Sequence, residues 1–416
     1  MKLFLFLLLV VAMAAANAQT VLNNRIFIGK TDSVSSKILN EKRKVWIYLP
    51  QGYDDPAFTK QRYPVVYLLD GDGHFASVTG MIQQLSEVNG NMVCPDMIVV
   101  AIPNTDRTRD LTPSRSLVGP DGKKIPGFET SGGNEKFISF IQTELIPHID
   151  STYLTAPYKM LIGHSFGGLT VMNIVVNHTD MFNSYVAIDP SMWWDGRKLL
   201  NQAHEVMKQK KFTGKSLYLA IANTMPAGMD TQRVRKDTSG TTGHIRSILD
   251  LADILKANPG NGLNFAYKYY NEDNHGSVPL LAEYDALHFL FGFYKFPDDL
   301  GSKLYDPKAK IDVAGIIDKH YSDISARLGY KILPPEGQIN QLGYFYMQSN
   351  EPEKAYTMFN LNIKNYPTSE NVFDSMGDYY DNQKNKAKAI EFYTKALKIS
   401  ENKDTRDKLN KLQGGK

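Results

Sequence analysis

Short apolar runs that alternate with helical patterns constrain the fold of this chain most strongly. Each run spans only a few residues and is bounded by turn residues, and the runs lie at 63–69, 97–102, 159–162, 184–188, 216–221 and 263–267. Runs of this length suit strands that are buried on both faces of a parallel sheet. Helical patterns lie between them, at 136–146, 169–176 and 245–255. The sequence therefore predicts an α/β fold with a mostly parallel central sheet, preceded by antiparallel strands over residues 25–50.

The first residues have the pattern of a secretory signal peptide. A positive start, Met1-Lys2, precedes an unbroken apolar run over residues 3–11, and Ala16-Asn17-Ala18 fits the small-x-small cleavage rule. We predict a signal peptide at 1–18, cleavage before Gln19, and export to the periplasm or the extracellular space. The apolar run is shorter than the ~20 residues that a membrane span needs, so no membrane span is predicted.

Charge and cysteine content exclude several classes of partner and cofactor. The 47 basic and 44 acidic residues leave a formal net charge of +3, which gives no basic field for nucleic acid. A single cysteine, Cys94, rules out an internal disulfide framework and a cysteine-based metal cluster. Asp72 and His74 form a pair of metal-ligating residue types without further ligands nearby in the sequence. No metal and no cofactor is predicted.

The C-terminal part of the chain carries an internal repeat. The α/β pattern stops near Pro297, one helical pattern follows at 313–328, and a set of six positions then recurs 34 residues later. The set is Ile339, Leu342, Gly343, Tyr346, Ala355 and Phe359, which recurs as Phe373, Met376, Gly377, Tyr380, Ala389 and Tyr393. This period resembles the tetratricopeptide repeat, which has two helices per unit.

This organisation predicts three segments after the signal peptide. They are an α/β domain at 19–297, a helical linker at 298–337, and a small all-α region of tetratricopeptide-like helical hairpins at 338–412. The groove of such repeats is a candidate surface for a protein or peptide partner. A stabilising cap is the alternative role for the repeats.

A serine lies where a buried strand is expected to turn into a helix. Gly163-His164-Ser165-Phe166-Gly167 follows the run at 159–162 and precedes the helical pattern at 169–176. A nucleophilic serine on such a sharp turn needs small neighbours, which Gly163 and Gly167 provide. The turn also directs the backbone N–H of Phe166 at the reacting oxygen. We therefore predict that Ser165 is a nucleophile.

A serine nucleophile needs a base, and the base needs an orienting acid. In this class of fold the chain order is serine, acid, histidine. His275 lies in a polar loop directly after the last strand and is the predicted base, while His244 is a weaker rival. Asp230 is the predicted acid because it lies in the loop after the strand at 217–221. Asp237, Glu272 and a serine–histidine dyad without an acid remain alternatives.

Other residues are expected at the carboxyl ends of the strands, where open α/β sheets bind ligands. The backbone of Gly71 and Asp72 follows the strand at 63–69 and is the predicted second oxyanion donor. Arg107 and Arg109 follow the strand at 97–102 and are candidates for binding a substrate oxygen. The alternative is that they pair with aspartates of their own loop. Trp193 is a candidate to line an acyl or aromatic pocket.

Several motifs together resemble the putative esterase family of α/β-hydrolases. They are Tyr67-Leu68-Leu69-Asp70-Gly71, the segment 104–113, Gly163-His164-Ser165-Phe166-Gly167-Gly168, Asp189-Pro190-Ser191-Met192-Trp193-Trp194 and Asn274-His275-Gly276-Ser277. The family includes enterobactin esterases, feruloyl esterases, S-formylglutathione hydrolases and mycolyltransferases, and the resemblance covers roughly residues 25–295. It implies the α/β-hydrolase fold, Ser165 as nucleophile and His275 as base, and it leaves the acid open.

These observations predict a secreted serine hydrolase that acts on a small-molecule ester. Siderophore esters, feruloyl-sugar esters and acetyl-sugar esters are the candidate substrates, and an acyl-enzyme on Ser165 is the expected intermediate. One alternative is an acyltransferase of the same fold. The other is a non-catalytic binding protein that acts through its helical repeats.

Overall fold

The computed structural model describes residues 20–22, 25–54, 61–86 and 88–414. The chain forms two compact units, Met1–Lys295 and Phe296–Lys416. This division lies two residues before the end of the α/β domain that the sequence predicts. The predicted signal peptide at 1–18 lies outside the described residues.

A mostly parallel sheet forms the centre of the first unit. The described strands are β1 (Thr20–Leu22), β2 (Arg25–Phe27), β3 (Lys30–Ser36), β4 (Glu41–Tyr48), β5 (Tyr63–Leu69), β6 (Ile98–Ile102), β7 (Thr155–His164), β8 (Ser184–Ile188), β9 (Ser216–Ala222) and β10 (Asn264–Tyr270). Within the described part, eight strands pair in the order β10-β9-β8-β7-β5-β6-β4-β3. Strands β5 to β10 are parallel, whereas β3 and β4 are antiparallel to their neighbours. The predicted fold class is therefore confirmed.

Helices cover the sheet and connect its strands. They are α1 (Gly71–Ser86), α2 (Arg107–Leu111), α3 (Asn134–Phe140), α4 (Ile146–Thr152), α5 (Phe166–Asn177), α6 (Trp194–Gln209), α7 (Thr231–Val234), α8 (Gly243–Lys256) and α9 (Val278–Leu290). A π-helical turn, Ile141–Leu145, joins α3 to α4. Short 3-10 turns lie at Val88–Gly90, Thr179–Met181, Gly240–Thr242 and Pro259–Asn261.

The core lies on both faces of the central strands. Every residue of β5, β6 and β8 is buried, which explains their continuous apolar sequences. Helix α5 is buried from Phe166 to Val176, and its two buried polar side chains, Thr170 and Asn173, donate hydrogen bonds to neighbouring segments. This packing fixes the carboxyl ends of the parallel strands, where Asp70, Ser165, Asp189 and the loop that carries His275 all lie.

A buried arginine joins the antiparallel edge of the sheet to the loop after β6. The Arg43 side chain is 1% exposed, and its Nη1 donates to Asp110 Oδ2 at 2.6 Å. Its guanidinium also lies over the ring of Phe137, with 5.3 Å to the centroid. Removing one partner of such a pair leaves the other as a buried charge with fewer donors.

We expect Arg43→Met to lower the free energy of unfolding by about 3 kcal/mol, because Asp110 stays buried and loses its closest donor. Denaturation with urea measures this change. Lys42→Met is the matched control, since Lys42 is the exposed neighbour on the same strand, and it should cost less than about 0.5 kcal/mol. Equal stability of the two variants would show that the Arg43–Asp110 pair contributes little.

The regular secondary structure among the described residues of the second unit is all helical. It contains α10 (Asp298–Leu304), α11 (Val313–Leu328), α12 (Glu336–Gln348), α13 (Pro352–Asn365), α14 (Glu370–Asn382), α15 (Lys386–Ile399) and α16 (Lys403–Gln413). Among the described residues of the whole chain, no helix is both long and apolar enough to cross a membrane.

The same glycine–aromatic packing contact occurs inside each of the two helical hairpins of the repeat. A Cβ on Gly343 of α12 would lie 2.6 Å from the Phe359 ring of α13. A Cβ on Gly377 of α14 would lie 2.5 Å from the Tyr393 ring of α15. The small residue is therefore required at both positions, because the aromatic ring of the next helix occupies the space of a side chain.

Candidate active site

Ser165 stands on a strained turn between β7 and α5. Its backbone angles are φ 60° and ψ −115°, which an L-residue rarely adopts. Such a conformation costs about 1–3 kcal/mol and persists only where the surroundings enforce it. A Cβ on Gly163 would lie 2.4 Å from the carbonyl oxygen of Gly167, so this turn cannot form with a larger residue there. The predicted strand–turn–helix context of Ser165 is present.

His275 lies beside this turn and is bound to a buried carboxylate. The loop after β10 carries His275, whose Nδ1 is 2.6 Å from Asp189 Oδ2. Its ring centroid is 4.5 Å from that of His164, the residue that precedes Ser165. With Nδ1 donating to the carboxylate, the neutral imidazole keeps Nε2 as its basic nitrogen. This is the tautomer that a general base for a serine requires.

Asp189 is held as an anion in the interior. It directly follows β8 and is fully buried. Burial opposes its ionisation, but hydrogen bonds from His244 and His275 and from the Ala222 N–H outweigh this cost and hold the pKa of Asp189 well below its ordinary value. The Ala222 N–H donates to Oδ1 at 2.9 Å. A negative charge next to His275 favours the imidazolium that forms when the base takes a proton.

The structure binds His275 to Asp189 and not to Asp230, the predicted acid. Asp230 is exposed, and its Oδ1 caps α7 by accepting from the N–H groups of Gln232 and Arg233 at 2.9 and 2.8 Å. The other two candidates also have local partners. Asp237 accepts from the Thr242 hydroxyl at 2.5 Å. Glu272 accepts from the Asn271 side chain at 2.5 Å.

Asp189 satisfies the order serine, acid, histidine as well as Asp230 does. It also lies in a motif that carries the family resemblance, Asp189-Pro190-Ser191-Met192-Trp193-Trp194. The chain order and this motif are the two features of the sequence that indicate Asp189. The sequence predicts Asp230 instead because the acid is expected in the loop after β9, and Asp189 lies one strand earlier, directly after β8.

His244, the weaker candidate for the base, also contacts Asp189. His244 Nε2 is 2.8 Å from Asp189 Oδ2, so two histidines share one carboxylate oxygen. One nitrogen from each ring and this oxygen lie within 4.8 Å of one another, as metal ligands can. Ligand atoms around a tetrahedral zinc ion are about 3.3 Å apart, given bonds of about 2.0–2.1 Å. The 2.6 and 2.8 Å separations are those of hydrogen bonds instead.

The turn after β5 faces the turn that carries Ser165. Gly71 begins α1, and a Cβ there would lie 2.7 Å from the backbone nitrogen of Ile102. Asp70 binds Arg107 through both carboxylate oxygens, at 2.7 and 2.9 Å. The Arg107 guanidinium carbon also lies 5.2 Å from the ring centroid of Phe166. Arg107 therefore connects the two turns whose amides are the predicted oxyanion donors.

Asp72 is hydrogen-bonded to Asn104 in the loop after β6. The Asn104 amide donates to Asp72 Oδ1 at 3.2 Å and to Asp70 Oδ1 at 2.7 Å. These bonds fix the backbone of the Gly71–Asp72 segment against the end of β6.

The other predicted substrate-binding residues have different surroundings. Arg109 donates to Asp110 at 2.7 Å and to Glu41 at 2.9 Å, so the alternative pairing within its own loop is observed. These carboxylates belong to the buried Arg43 cluster and not to the turn of Ser165. Trp193 is partly buried, with its ring centroid 6.3 Å from that of Phe166. It is therefore close to the turn and able to border a pocket there.

Comparison with known proteins agrees with this arrangement. The sequence model of the family described as "putative esterase" matches residues 36–242. A crystal structure of an IroE-like serine hydrolase from Shewanella oneidensis is 33% identical, with a TM-score of 0.67, and the match covers 80% of this chain and 98% of that one.

The chain belongs to the putative esterase family. It is a carboxylic-ester hydrolase of the α/β-hydrolase fold, as the resemblance implies.

Curated relatives of this esterase act on siderophores. The ferri-bacillibactin esterase of Bacillus subtilis is 29% identical over 201 residues, which is 45% of this chain and 67% of that protein. The siderophore enterobactin esterase of Emericella nidulans is 30% identical over 151 residues, 33% of this chain and 49% of that protein. A tetratricopeptide-repeat model matches residues 372–403, within the predicted repeats.

A further histidine of the esterase lies in the interior of the site. Burial is the largest cause that lowers the pKa of His164, and the nearby His275 and His74 rings also lower it. Asp189 and Asp70 oppose this more weakly, and the resulting pKa is about 4. His164 therefore stays neutral in the folded protein at pH values where the unfolded chain already binds a proton. Stability due to this residue is present above the unfolded value of about 6.5 and is lost as the pH falls towards 4.

We expect His164 to account for about 2 kcal/mol of the stability that the wild type loses between pH 7 and pH 5. The free energy of unfolding of His164→Gln, measured with urea, should therefore differ less between pH 7 and pH 5 than that of the wild type. This holds whatever the stability of the variant at pH 7. His204→Asn is the control, because His204 is exposed on α6, and its difference should match that of the wild type. An unchanged difference in His164→Gln would contradict the assignment.

Proposed function

We propose that this esterase acts through an acyl-enzyme on Ser165, with His275 as general base and Asp189 as orienting acid. One observation carries the proposal. His275 is bound to the buried Asp189 anion through Nδ1 while its ring lies beside the turn of Ser165. A neutral imidazole that is oriented in this way activates a serine hydroxyl, which is a weak nucleophile by itself.

The reaction runs in two halves. His275 Nε2 accepts the Ser165 hydroxyl proton as the Ser165 oxygen attacks the ester carbonyl, and the imidazolium then gives this proton to the leaving alcohol. Water attacks the acyl-enzyme in the same manner and releases the carboxylic acid and free serine. The N–H groups of Phe166 and of the Gly71–Asp72 segment are proposed to bind the oxyanion in both halves.

Siderophore esters are the proposed substrates. The names of two relatives support this choice, since one is a ferri-bacillibactin esterase and the other a siderophore enterobactin esterase. Trp193 is proposed to border the pocket for an aromatic group, because its ring lies near that of Phe166. Arg107 binds Asp70 through Nε and Nη2, so its third nitrogen, Nη1, is the one proposed to contact a substrate oxygen.

A panel of esters tests the substrate class. The purified protein is assayed with p-nitrophenyl acetate, a feruloyl ester, an acetylated sugar and a catecholate trilactone with and without ferric iron. The trilactone is expected to give the highest kcat/KM. A higher value for the feruloyl or acetyl ester would change the substrate class, whereas no hydrolysis of any ester would overturn the proposed mechanism.

The helical repeats are proposed to be accessory to the ester chemistry. All residues of the proposed mechanism lie within the first unit, Met1–Lys295. A protein or peptide partner is proposed for the repeats because tetratricopeptide repeats present a groove for one. A chain that ends at Lys295 tests whether the repeats are accessory. The shortened and the full chain are expected to have equal kcat/KM for p-nitrophenyl acetate.

Export to the periplasm or the extracellular space is proposed from the sequence pattern at the N-terminus. N-terminal sequencing of the protein from each cell fraction tests this. A start at Gln19 in an exported fraction is expected, and a start at Met1 in the cytoplasm would overturn the proposal.

A further inference from the structure

We propose that His244 is a positioning residue of the esterase, which donates a hydrogen bond to Asp189 and so controls how this acid acts on His275. The proposal rests on the proposed function, since it takes Asp189 and His275 to be the acid and the base.

The acid has three donors, and two of them are imidazoles. Asp189 Oδ2 lies 2.6 Å from His275 Nδ1 and 2.8 Å from His244 Nε2. Asp189 Oδ1 accepts from the Ala222 N–H at 2.9 Å. A carboxylate oxygen has about two lone-pair sites, so Oδ2 can accept from both rings at once. A fully buried carboxylate with three donors is fixed in its plane.

The start of α8 fixes the His244 ring. A Cβ on Gly243 would lie 3.1 Å from Pro120 Cβ, and a Cβ on Gly240 would lie 2.4 Å from Asp121 Cα, so this segment packs closely on the loop at 120–121. The His244 side chain is 17% exposed. Its ring meets that of His275 edge to face, with 5.1 Å between centroids. His244 is thus held close to the base without replacing it on the carboxylate.

The hydrogen bond from His244 changes how strongly Asp189 attracts a proton on His275 and how firmly Asp189 orients the His275 ring. A neutral His244 spreads part of the Asp189 charge onto its own N–H, so the attraction of Asp189 for a proton on His275 becomes weaker. His244 also prevents rotation of the carboxylate away from His275 Nδ1. Loss of this donor should therefore have two effects, which are poorer orientation of His275 and a stronger preference for its protonated form.

Other titratable groups near the two rings are few among the described residues. Asp189 faces both rings from the end of β8, and His164 faces His275 from the end of β7. On α8 itself, Asp250 and Asp253 pair with Arg197 and Arg235. Arg246, also on α8, donates to the Thr242 hydroxyl and to the Ser239 carbonyl. Asp189 is the charged group that hydrogen-bonds to both His244 and His275.

Two variants of His244 test whether its hydrogen-bond donor or only the volume of its ring is needed. His244→Phe keeps an aromatic ring and removes the donor, while His244→Gln keeps a neutral N–H donor. We expect His244→Phe to lower kcat for p-nitrophenyl acetate about tenfold with KM nearly unchanged. The acidic midpoint of its kcat/KM profile should move to higher pH, because His275 holds its proton more strongly. His244→Gln should recover most of the lost kcat and return the midpoint towards that of the wild type.

The outcomes distinguish this inference from the proposed function. A folded His244→Phe protein with wild-type kcat and an unshifted midpoint would overturn the positioning role, and so would an equal loss in the Phe and Gln variants. Thermal unfolding monitored by circular dichroism establishes that each variant is folded. If Asp189→Asn is inactive while His244→Phe is unaffected, only the inference fails. If Asp189→Asn is fully active, the proposed function itself is wrong.

Discussion

Replacing Ser165 with alanine is expected to abolish nearly all turnover of every ester that the wild type hydrolyses. The expected loss in kcat is about 10⁴–10⁶-fold, because the variant lacks the proposed nucleophile and only the proposed oxyanion donors and substrate binding still act. Steady-state assays with p-nitrophenyl acetate measure this loss. The alanine also removes the hydroxyl oxygen on the strained turn that is proposed to carry the acyl group.

Mass spectrometry provides a second readout for the same variant. Wild-type protein quenched during turnover should carry the mass of one acyl group, and Ser165→Ala should not. Ser151→Ala is the control, since Ser151 is an exposed serine on α4, and it should behave like the wild type. Rapid turnover by Ser165→Ala, or an acyl group on it, would place the nucleophile elsewhere.

Asp189→Asn is expected to lower kcat about 10⁴-fold, as an asparagine in this role favours the wrong histidine tautomer. The change conserves volume, so folding should be retained, and circular dichroism checks this. Asp230→Asn is the matched comparison because Asp230 was the acid predicted from sequence. Its carboxylate caps only the short helix α7, so kcat should stay within about twofold of the wild type. The reverse pattern of losses would restore Asp230 as the acid and remove Asp189.

Much of the fold could be predicted because burial on both faces leaves a clear trace in the sequence. The run at 63–69 coincides with β5, and the run at 97–102 differs from β6 by one residue. The run at 159–162 is only the centre of β7, which begins at Thr155. The ends of this strand contain polar and exposed residues, so apolar periodicity cannot locate them.

The sequence indicates the geometry of the candidate site most directly where that geometry is local. Ser165 lies on a turn that needs glycines at fixed spacing, and such spacing is visible in a sequence. The pairing of His275 with Asp189 is not local, because the strand order places β9 between the strands that carry them. The partner of Arg107 is also non-local, since Asp70 lies on another strand end. Which loops meet across a sheet edge depends on strand order, which no single segment specifies.

The position of Asp189 also affects how activity returns when the denatured esterase refolds. Its partners come from three separate segments, the end of β9, the start of α8 and the loop after β10. All three follow Asp189 in the chain, and all must reach their places before the acid has its donors. Recovery of turnover therefore reports the completion of the C-terminal half of the sheet, whereas tryptophan fluorescence reports the surroundings of Trp46, Trp193 and Trp194. Following both signals in one refolding experiment would separate assembly of the proposed catalytic residues from packing around the three tryptophans.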